Sequence, residues 1–200
     1  MDIWRVNLRE QTLQREAVPE KWDHLGGRGL SARILLDEVP PTCEPLGPYN
    51  RLVLAPGLLV GHMLTSCDRI SFGGKSPMTR GIKEANAGGS TGLHMTNMGM
   101  KALILEDQCR TDAKARSGWW VLHLSLAGAR FEPADDVAGL GVHDTAARLL
   151  KRYGDKVAMA LIGPAGEMRL AAAGIQSLDK DRVPSRIAAR GGLGAVMGAK

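Results

Sequence analysis

Apolar and polar side chains alternate at the start of the chain and predict a β-hairpin. The alternation runs through residues 3–8, and a turn-like polar break separates it from residues 12–18. Residues 20–38 then carry apolar side chains at helical spacing behind a glycine cluster, which predicts a helix. The proline-rich segment 39–48 would end this helix, because proline offers no backbone donor.

Strand and helix patterns follow one another irregularly along the rest of the chain. The predicted strands are residues 51–55, 101–106, 119–126, 129–133, 157–163 and 167–175. Helices are predicted at 91–99 and 142–154, and the Gly-, Ser- and Thr-rich stretch 57–92 would mix short strands with loops. We expect the last two strands to pair across residues 164–166. This order favours one mixed α+β domain spanning residues 1–200 over a doubly wound parallel sheet.

The composition favours a folded domain that binds a small anion. Hydrophobic residues make up 44% of the 200 positions, which is enough for a packed core. Lys and Arg outnumber Asp and Glu by 26 to 21, and aromatic residues are only 4%. Nucleic-acid binders usually carry a dense basic run with interleaved aromatics, so we expect no nucleic-acid partner. A basic pocket for a small anionic ligand is the better use of this modest excess.

The cysteines and the apolar stretches exclude two further classes. Cys43, Cys67 and Cys109 form no CxxC pair, so we expect no zinc or iron–sulfur site from this chain alone. We interpret them as reduced structural thiols in a cytoplasmic protein. The start of the chain shows no charged leader before an apolar block, and apolar stretches such as residues 52–60 are too short to span a bilayer.

Two segments combine cationic side chains with glycine. The first runs from Arg69 through Lys75 to Gly89, and the second runs from Arg186 to Gly194. Glycine lets a ligand approach the backbone and exposes N–H groups to an anion, and arginine can grip phosphate with two donors. Neither segment matches the GxxxxGK[ST] phosphate loop. Glycine pairs also mark ordinary turns and bulges, so each segment alone leaves a purely structural explanation open.

Taken together, these segments resemble the amino-terminal domain of the aldehyde:ferredoxin oxidoreductase family. The resemblance covers nearly the whole chain, through RVNL, WDHLGGRGLSARILLDEV, RLVLAPGLL, DRISFGGKSPMTRGIKEANAGGSTG, KALILE, VAMALIGPAGE and AARGGLGAVMGAK. It implies an α+β fold of two β-sheets and a few helices, arranged as a saddle-like base. In the family, this base lies under a bis-pterin cofactor that holds tungsten or molybdenum.

The resemblance also implies which residues would hold that cofactor. They are Arg69, Asn86, Gly88, Arg186, Ile187, Ala189 and Arg190. Arg69 would lie between the cofactor and a [4Fe–4S] cluster, and Gly88 would allow close backbone approach. The backbone carbonyls of Asn86 and Ile187 would bind a magnesium ion between the pterin phosphates. Ile187 stands where the family usually has a small residue.

The activity implied by the resemblance is oxidation of aldehydes to carboxylic acids, with electrons passing to ferredoxin or an iron–sulfur protein. Family members carry the cluster cysteines and the acid–base groups in later domains. We therefore expect a cofactor-base subunit or fragment, a partner subunit with the remaining domains, and a tendency to self-associate. Two alternatives stay open: a non-catalytic module that carries or inserts the cofactor, and an interaction protein that has lost it.

Overall fold

A six-stranded sheet lies at the centre of the computed structural model, which describes residues 1–110 and 114–200. From one edge to the other, its strands are β2 (Thr12–Ala17), β1 (Asp2–Asn7), β6 (Met100–Glu106), β3 (Leu52–Pro56), β4 (Ile70–Lys75) and β5 (Ile82–Ala87). Strands β1 and β6 are parallel, and all other neighbours in this sheet are antiparallel. The opening hairpin predicted for residues 3–8 and 12–18 is confirmed by the pairing of β1 with β2.

Two smaller sheets hold the remaining described strands. One is the hairpin of β7 (Trp120–Ser125) and β8 (Gly128–Pro133), and the other has the order β11 (Arg186–Ala188), β10 (Ile175–Ser177) and β9 (Ala160–Leu161). The α+β class is confirmed. The described residues form three sheets instead of the expected two, because β7 and β8 pair only with each other.

Six helices complete the described part of the chain. They are α1 (Glu20–Asp23), α2 (Gly27–Glu38), α3 (Thr91–Asn97), α4 (Val142–Tyr153), α5 (Pro164–Glu167) and α6 (Leu193–Gly198). The helices predicted at 91–99 and 142–154 are confirmed, and the one predicted at 20–38 is divided into α1 and α2. Among the described residues, no helix is long and apolar enough to cross a membrane.

The strand predicted over residues 167–175 is wrong for most of its length. Pro164 begins α5 instead, since its fixed φ suits the first turn of a helix. The chain then folds through tight turns, in which Ala173 N donates to Leu170 O at 2.9 Å. The apolar side chains of Met168 and Leu170 are exposed, so their alternation did not reflect a buried face. Only β10 at the end of this stretch forms a strand, and it does pair with β9.

Hydrophobic cores cover both faces of the six-stranded sheet. On one face, α2 buries Leu30, Ile34 and Leu35 against the sheet. The other face packs against side chains of α3, α6, β10 and β11, namely Met95, Leu193, Val196, Ile175 and Ala188. The last part of the sequence is therefore held against β4 and β5, the strands that contain the first glycine-rich segment.

The contact between α5 and α6 leaves no room for a side chain at Gly198. A Cβ placed on Gly198 would lie 1.9 Å from the backbone oxygen of Gly166. Alanine gains at most about 1 kcal/mol of helix propensity over glycine, whereas overpacking against backbone costs about 1–3 kcal/mol or more. We expect Gly198→Ala to lower the free energy of unfolding by about 2 kcal/mol, measured by urea denaturation.

Gly81→Ala is the matched control, because Gly81 is exposed and a Cβ there would meet only Thr79 Oγ1 at 3.8 Å, an ordinary contact. Its effect should stay within about 0.5 kcal/mol. Equal stability of the two variants would contradict the tight packing of α6 on α5.

Candidate functional site

Pairing of β4 with β5 places a row of polar groups at one edge of the sheet. Ser71 lies opposite Asn86 in the ladder. Ala85 and Ala87 point into the core, so the alternation of a strand sends Glu84 and Asn86 to the opposite face. Arg69 directly precedes β4, and its Nη1 donates to Asn86 Oδ1 at 3.5 Å. Arg69 and Asn86, which are far apart in sequence, are thus neighbours.

Strand β11 brings the second cationic segment to the end of β5. A Cβ on Gly88 would lie 3.9 Å from Cδ of Arg186, so the bare backbone of Gly88 faces the arginine side chain. Gly89 has a φ of +103°, and a Cβ there would lie 2.4 Å from Leu178 O. Two glycines after β5 therefore allow the segment around Leu178 and Arg186 to approach the strand closely.

The rest of the second segment follows the same edge. A Cβ on Gly191, whose φ is +71°, would lie 2.7 Å from Cβ of Lys83 near the start of β5. Arg186 thus lies beside Gly88 and Gly191 beside Lys83, which means that residues 186–191 run along β5 in the opposite direction. The last part of the first predicted segment therefore adjoins the second segment, in which Ala189 and Arg190 are exposed. We call residues 83–88 and 186–191 together the β5 edge.

Ile187 contributes to this surface only through its backbone. Its side chain is 50% exposed and lies against Gly174, where a Cβ would come within 3.2 Å of Ile187 Cγ2. Neighbouring residues of a strand point to opposite faces, so the Ile187 side chain points away from the Arg186 side chain. The bulk of this isoleucine therefore does not fill the space between Arg186 and Gly88.

The cations of the β5 edge form no close ion pairs within the described parts of the chain, although the charge of Arg186 helps to lower the pKa of Asp179. Arg186, Arg190 and Lys83 are exposed, and none of them lies within 4.0 Å of a carboxylate oxygen there; the same holds for the neighbouring Arg69. By contrast, Arg5 is bound to Glu38 at 2.8 Å, and this bond raises the pKa of Arg5 despite its partial burial. Exposed cations without a close ion pair, beside bare glycine backbone, attract anions, above all phosphate groups.

Part of the first predicted segment serves packing instead of a ligand. Lys75 is buried, and its Nζ donates to the backbone oxygens of Pro41 and Cys43. Gly73 and Gly74 are buried between two helices: a Cβ on Gly73 would lie 2.9 Å from Ser31 Cβ of α2, and one on Gly74 would lie 3.3 Å from Leu193 of α6. For Lys75, Gly73 and Gly74, the purely structural explanation that the sequence left open is therefore correct.

Three residues to which the sequence motifs assigned no role are linked to Asn86, either directly or through Glu84. Ser71 Oγ donates to Glu84 Oε1 at 2.6 Å, and Asn86 Nδ2 donates to Ser71 Oγ at 3.3 Å. Arg28, at the start of α2, places its Nε 3.6 Å from Glu84 Oε2. Strand alternation alone indicates that Glu84 and Asn86 share a face, but only the ladder register brings Ser71 to them.

The three thiols are separate from the β5 edge. All three cysteines are free, and burial raises the pKa of the Cys109 thiol to about 11. A thiol of this kind stays protonated at neutral pH and is a poor metal ligand. Within residues 1–110 and 114–200, no group of three or more His, Cys, Asp or Glu side chains could hold a metal ion.

The fold is shared with a solved oxidoreductase assembly. It matches the active site complex BamBC of benzoyl coenzyme A reductase, solved with 1,5-dienoyl-CoA, with a TM-score of 0.88 and 31% sequence identity. The match covers 100% of this chain and 29% of that chain. The class of fold is thereby defined: this chain has the fold of a part that makes up 29% of a longer chain in that reductase complex.

The family follows from the sequence. The profile described as the aldehyde ferredoxin oxidoreductase N-terminal domain matches residues 3–200, and the chain belongs to this family. It is 35% identical over 201 residues to the tungsten-containing aldehyde ferredoxin oxidoreductase of Pyrococcus furiosus, and 35% identical over 203 residues to that of Pyrococcus abyssi. These matches cover 98% and 99% of this chain but 31% of each relative, so the chain spans less than a third of their length. The family inferred from the motifs is confirmed.

Proposed function

We propose that this chain is the cofactor base of a tungsten- or molybdenum-pterin oxidoreductase that oxidises aldehydes to carboxylic acids. In this role, the β5 edge is the seat for the phosphate arms of a bis-pterin cofactor. The observation that carries the proposal is the alignment of residues 186–191 along β5: Arg186 lies beside Gly88, which is two positions from Asn86, and Asn86 bonds to Arg69. The names of the relatives, which are tungsten-containing aldehyde ferredoxin oxidoreductases, support the same role.

The chemistry of the described residues fits a ligand with phosphate groups. A guanidinium presents paired N–H donors that match two phosphate oxygens, and it keeps its charge at every working pH. Neither Arg69 nor Arg186 lies within 4.0 Å of a carboxylate oxygen of the described residues, so their N–H donors are available to an incoming anion. Gly88 has no side chain to separate a ligand from the backbone beside Arg186.

Each residue of the seat would have a distinct task. Arg69 and Arg186 donate N–H groups to phosphate oxygens, with Arg190 adding charge beside Gly191. The backbone carbonyls of Asn86 and Ile187 are the proposed magnesium ligands, since oxygen donors suit this cation. Strand β5 is the last strand of its sheet, so alternate carbonyls along it have no ladder partner. The cofactor, when bound, supplies the metal that exchanges electrons with the aldehyde.

The remaining machinery is proposed to lie outside these 200 residues. A [4Fe–4S] cluster and the domains that complete the active site would come from a partner subunit or from a further part of the same polypeptide, and electrons would leave to ferredoxin or an iron–sulfur protein. This chain would fix the position of the metal through its hold on the phosphate arms. We place the protein in the cytoplasm as part of the same proposal.

Purification from the native source, followed by elemental and pterin analysis, tests the proposed function. We expect tungsten or molybdenum, together with a pterin that becomes fluorescent after oxidative release. Iron should co-purify with a polypeptide segment that carries a CxxCxxxC cluster motif. Pterin and metal without any cluster-bearing segment would identify a carrier module instead. A preparation with no pterin, tungsten or molybdenum would contradict the proposal.

A further inference from the structure

Four polar side chains form a line of hydrogen bonds that begins at the candidate seat and ends at the carboxylate of Glu84. Arg69 Nη1 lies 3.5 Å from Asn86 Oδ1, Asn86 Nδ2 lies 3.3 Å from Ser71 Oγ, and Ser71 Oγ lies 2.6 Å from Glu84 Oε1. The outer residues, Arg69 and Asn86, are exposed. The inner part is covered: Ser71 is 1% exposed, and the Glu84 side chain is 17% exposed.

The chemistry of these groups fixes the direction of every hydrogen bond in the line. An ionised carboxylate can only accept, and a serine hydroxyl has a single proton to donate. The short contact of 2.6 Å is typical of a hydroxyl that donates to a charged acceptor, so the Ser71 proton is committed to Glu84. Ser71 therefore offers only lone pairs to Asn86, which must present its NH₂ inward and its oxygen outward.

The outward oxygen is what Arg69 requires. A guanidinium has donors but no acceptor, so it bonds to Asn86 Oδ1 and would be repelled by the NH₂ group. The amino end of α2 shields the central link from water, since a Cβ on Gly27 would lie 3.6 Å from Ser71 Oγ. Arg28 adds little to the line, because its side chain is 76% exposed and 3.6 Å from Glu84.

We infer that Glu84 is a positioning residue: acting through Ser71, its carboxylate turns the Asn86 side-chain amide so that Oδ1 holds Arg69. The orientation of Asn86 belongs to the chain itself, whereas the benefit to phosphate binding rests on the proposed function. Glutamine at this position keeps the shape but can donate to Ser71. The hydroxyl is then free to donate to Asn86, and the amide can reverse and release Arg69.

Two variants of the full chain test the line at different links. Glu84→Gln removes the carboxylate, and Ser71→Ala removes the hydroxyl without changing the net charge. Glu10→Gln is the matched control, because it removes the same negative charge at a distant position. Glu10 follows β1, pairs with Arg110 and lies far along the sheet from β5. Urea denaturation of each variant confirms that it is folded before comparison.

The first readout is hydrogen exchange of the Asn86 side-chain NH₂ in ligand-free, ¹⁵N-labelled protein. The resonance is assigned by its loss in Asn86→Asp. In the unmodified chain we expect slow exchange, because the NH₂ faces the covered Ser71 Oγ. Both Glu84→Gln and Ser71→Ala should accelerate it about tenfold, and Glu10→Gln should leave it unchanged. A loss of stability without faster exchange would indicate a merely structural role and would overturn the inference.

The second readout is the affinity for inorganic pyrophosphate, measured by titration calorimetry. Loss of a group that orients a binding side chain typically costs about tenfold or more in affinity, so both variants should bind pyrophosphate about tenfold more weakly. For Glu84→Gln, the direction of the change in pyrophosphate affinity is decisive, since removal of a nearby negative charge would by itself tighten anion binding. Tighter binding by this variant would overturn the inference.

The proposed function and the positioning role of Glu84 can be refuted independently of each other. If the unmodified chain binds no pyrophosphate and carries no cofactor, the proposed function fails, and the exchange measurement still decides the role of Glu84. If pyrophosphate binds but neither variant changes Asn86 exchange, the positioning role fails while the seat stands. A double variant should lose no more affinity than either single variant, because both changes break the same line.

Discussion

Replacing Asn50 with alanine is expected to lower the free energy of unfolding by about 4 kcal/mol. Asn50 is fully buried and uses its whole side-chain amide. Nδ2 donates to the backbone oxygens of Pro45 and Lys75, and Oδ1 accepts from the backbone N–H groups of Lys75 and Arg51 at 2.9 Å each. The amide thereby closes the loop after α2 onto the end of β4.

The size of the effect follows from the groups that alanine would leave behind. Each buried backbone donor or acceptor without a partner costs about 1–3 kcal/mol, and at least two such groups, on Lys75, face Asn50. Urea denaturation of Asn50→Ala measures the loss. Asn97→Ala is the control, since Asn97 is exposed at the end of α3 and should change stability by less than about 0.5 kcal/mol. A loss below about 1 kcal/mol at Asn50 would show that water replaces the missing amide.

The double variant Arg69→Ala, Arg186→Ala is expected to weaken pyrophosphate binding at least about a hundredfold. Hydrogen bonds to charged groups contribute about 1.5–3 kcal/mol each, and each arginine would lose its bonds to phosphate. Tungsten and molybdenum content per chain after native purification should fall in parallel. Titration calorimetry and elemental analysis measure the two effects.

Two controls separate charge from geometry. Arg33→Ala removes an exposed arginine that pairs with Asp37 within α2, and it should retain full binding. Replacement of Arg69 and Arg186 by lysine keeps the charge but loses the paired donors, so we expect intermediate affinity. Undiminished metal content in the alanine double variant would exclude the β5 edge as the seat. Unchanged biological function in that variant would favour the interaction protein that has lost its cofactor.

The sequence predicted elements well where burial and periodicity agree. The first hairpin, β6 and α4 are confirmed because their apolar positions face a core. The strand predicted over residues 167–175 was wrong because Met168 and Leu170 alternate without being buried. Local patterns report burial only when the rest of the fold supplies something to pack against.

The candidate seat was predictable as a set of residues but not as a surface. Glycine and arginine motifs indicated Arg69, Asn86 and Arg186, yet the same reasoning included Lys75, which is buried beneath the loop around Cys43. The partners Ser71 and Glu84 depend on the register of β4 against β5, which the intervening turn sets and which no local pattern reveals.

The distance along the chain between the two halves of the β5 edge has a consequence for biosynthesis. Gly88 and Arg186 lie close together, although they are 98 positions apart in sequence. Contacts of such long range close only after the intervening chain has been translated and ordered. A nascent polypeptide that has formed the central sheet would still lack Arg186, so we expect loading of the proposed cofactor only after residue 186 has been translated and β11 has paired with β10.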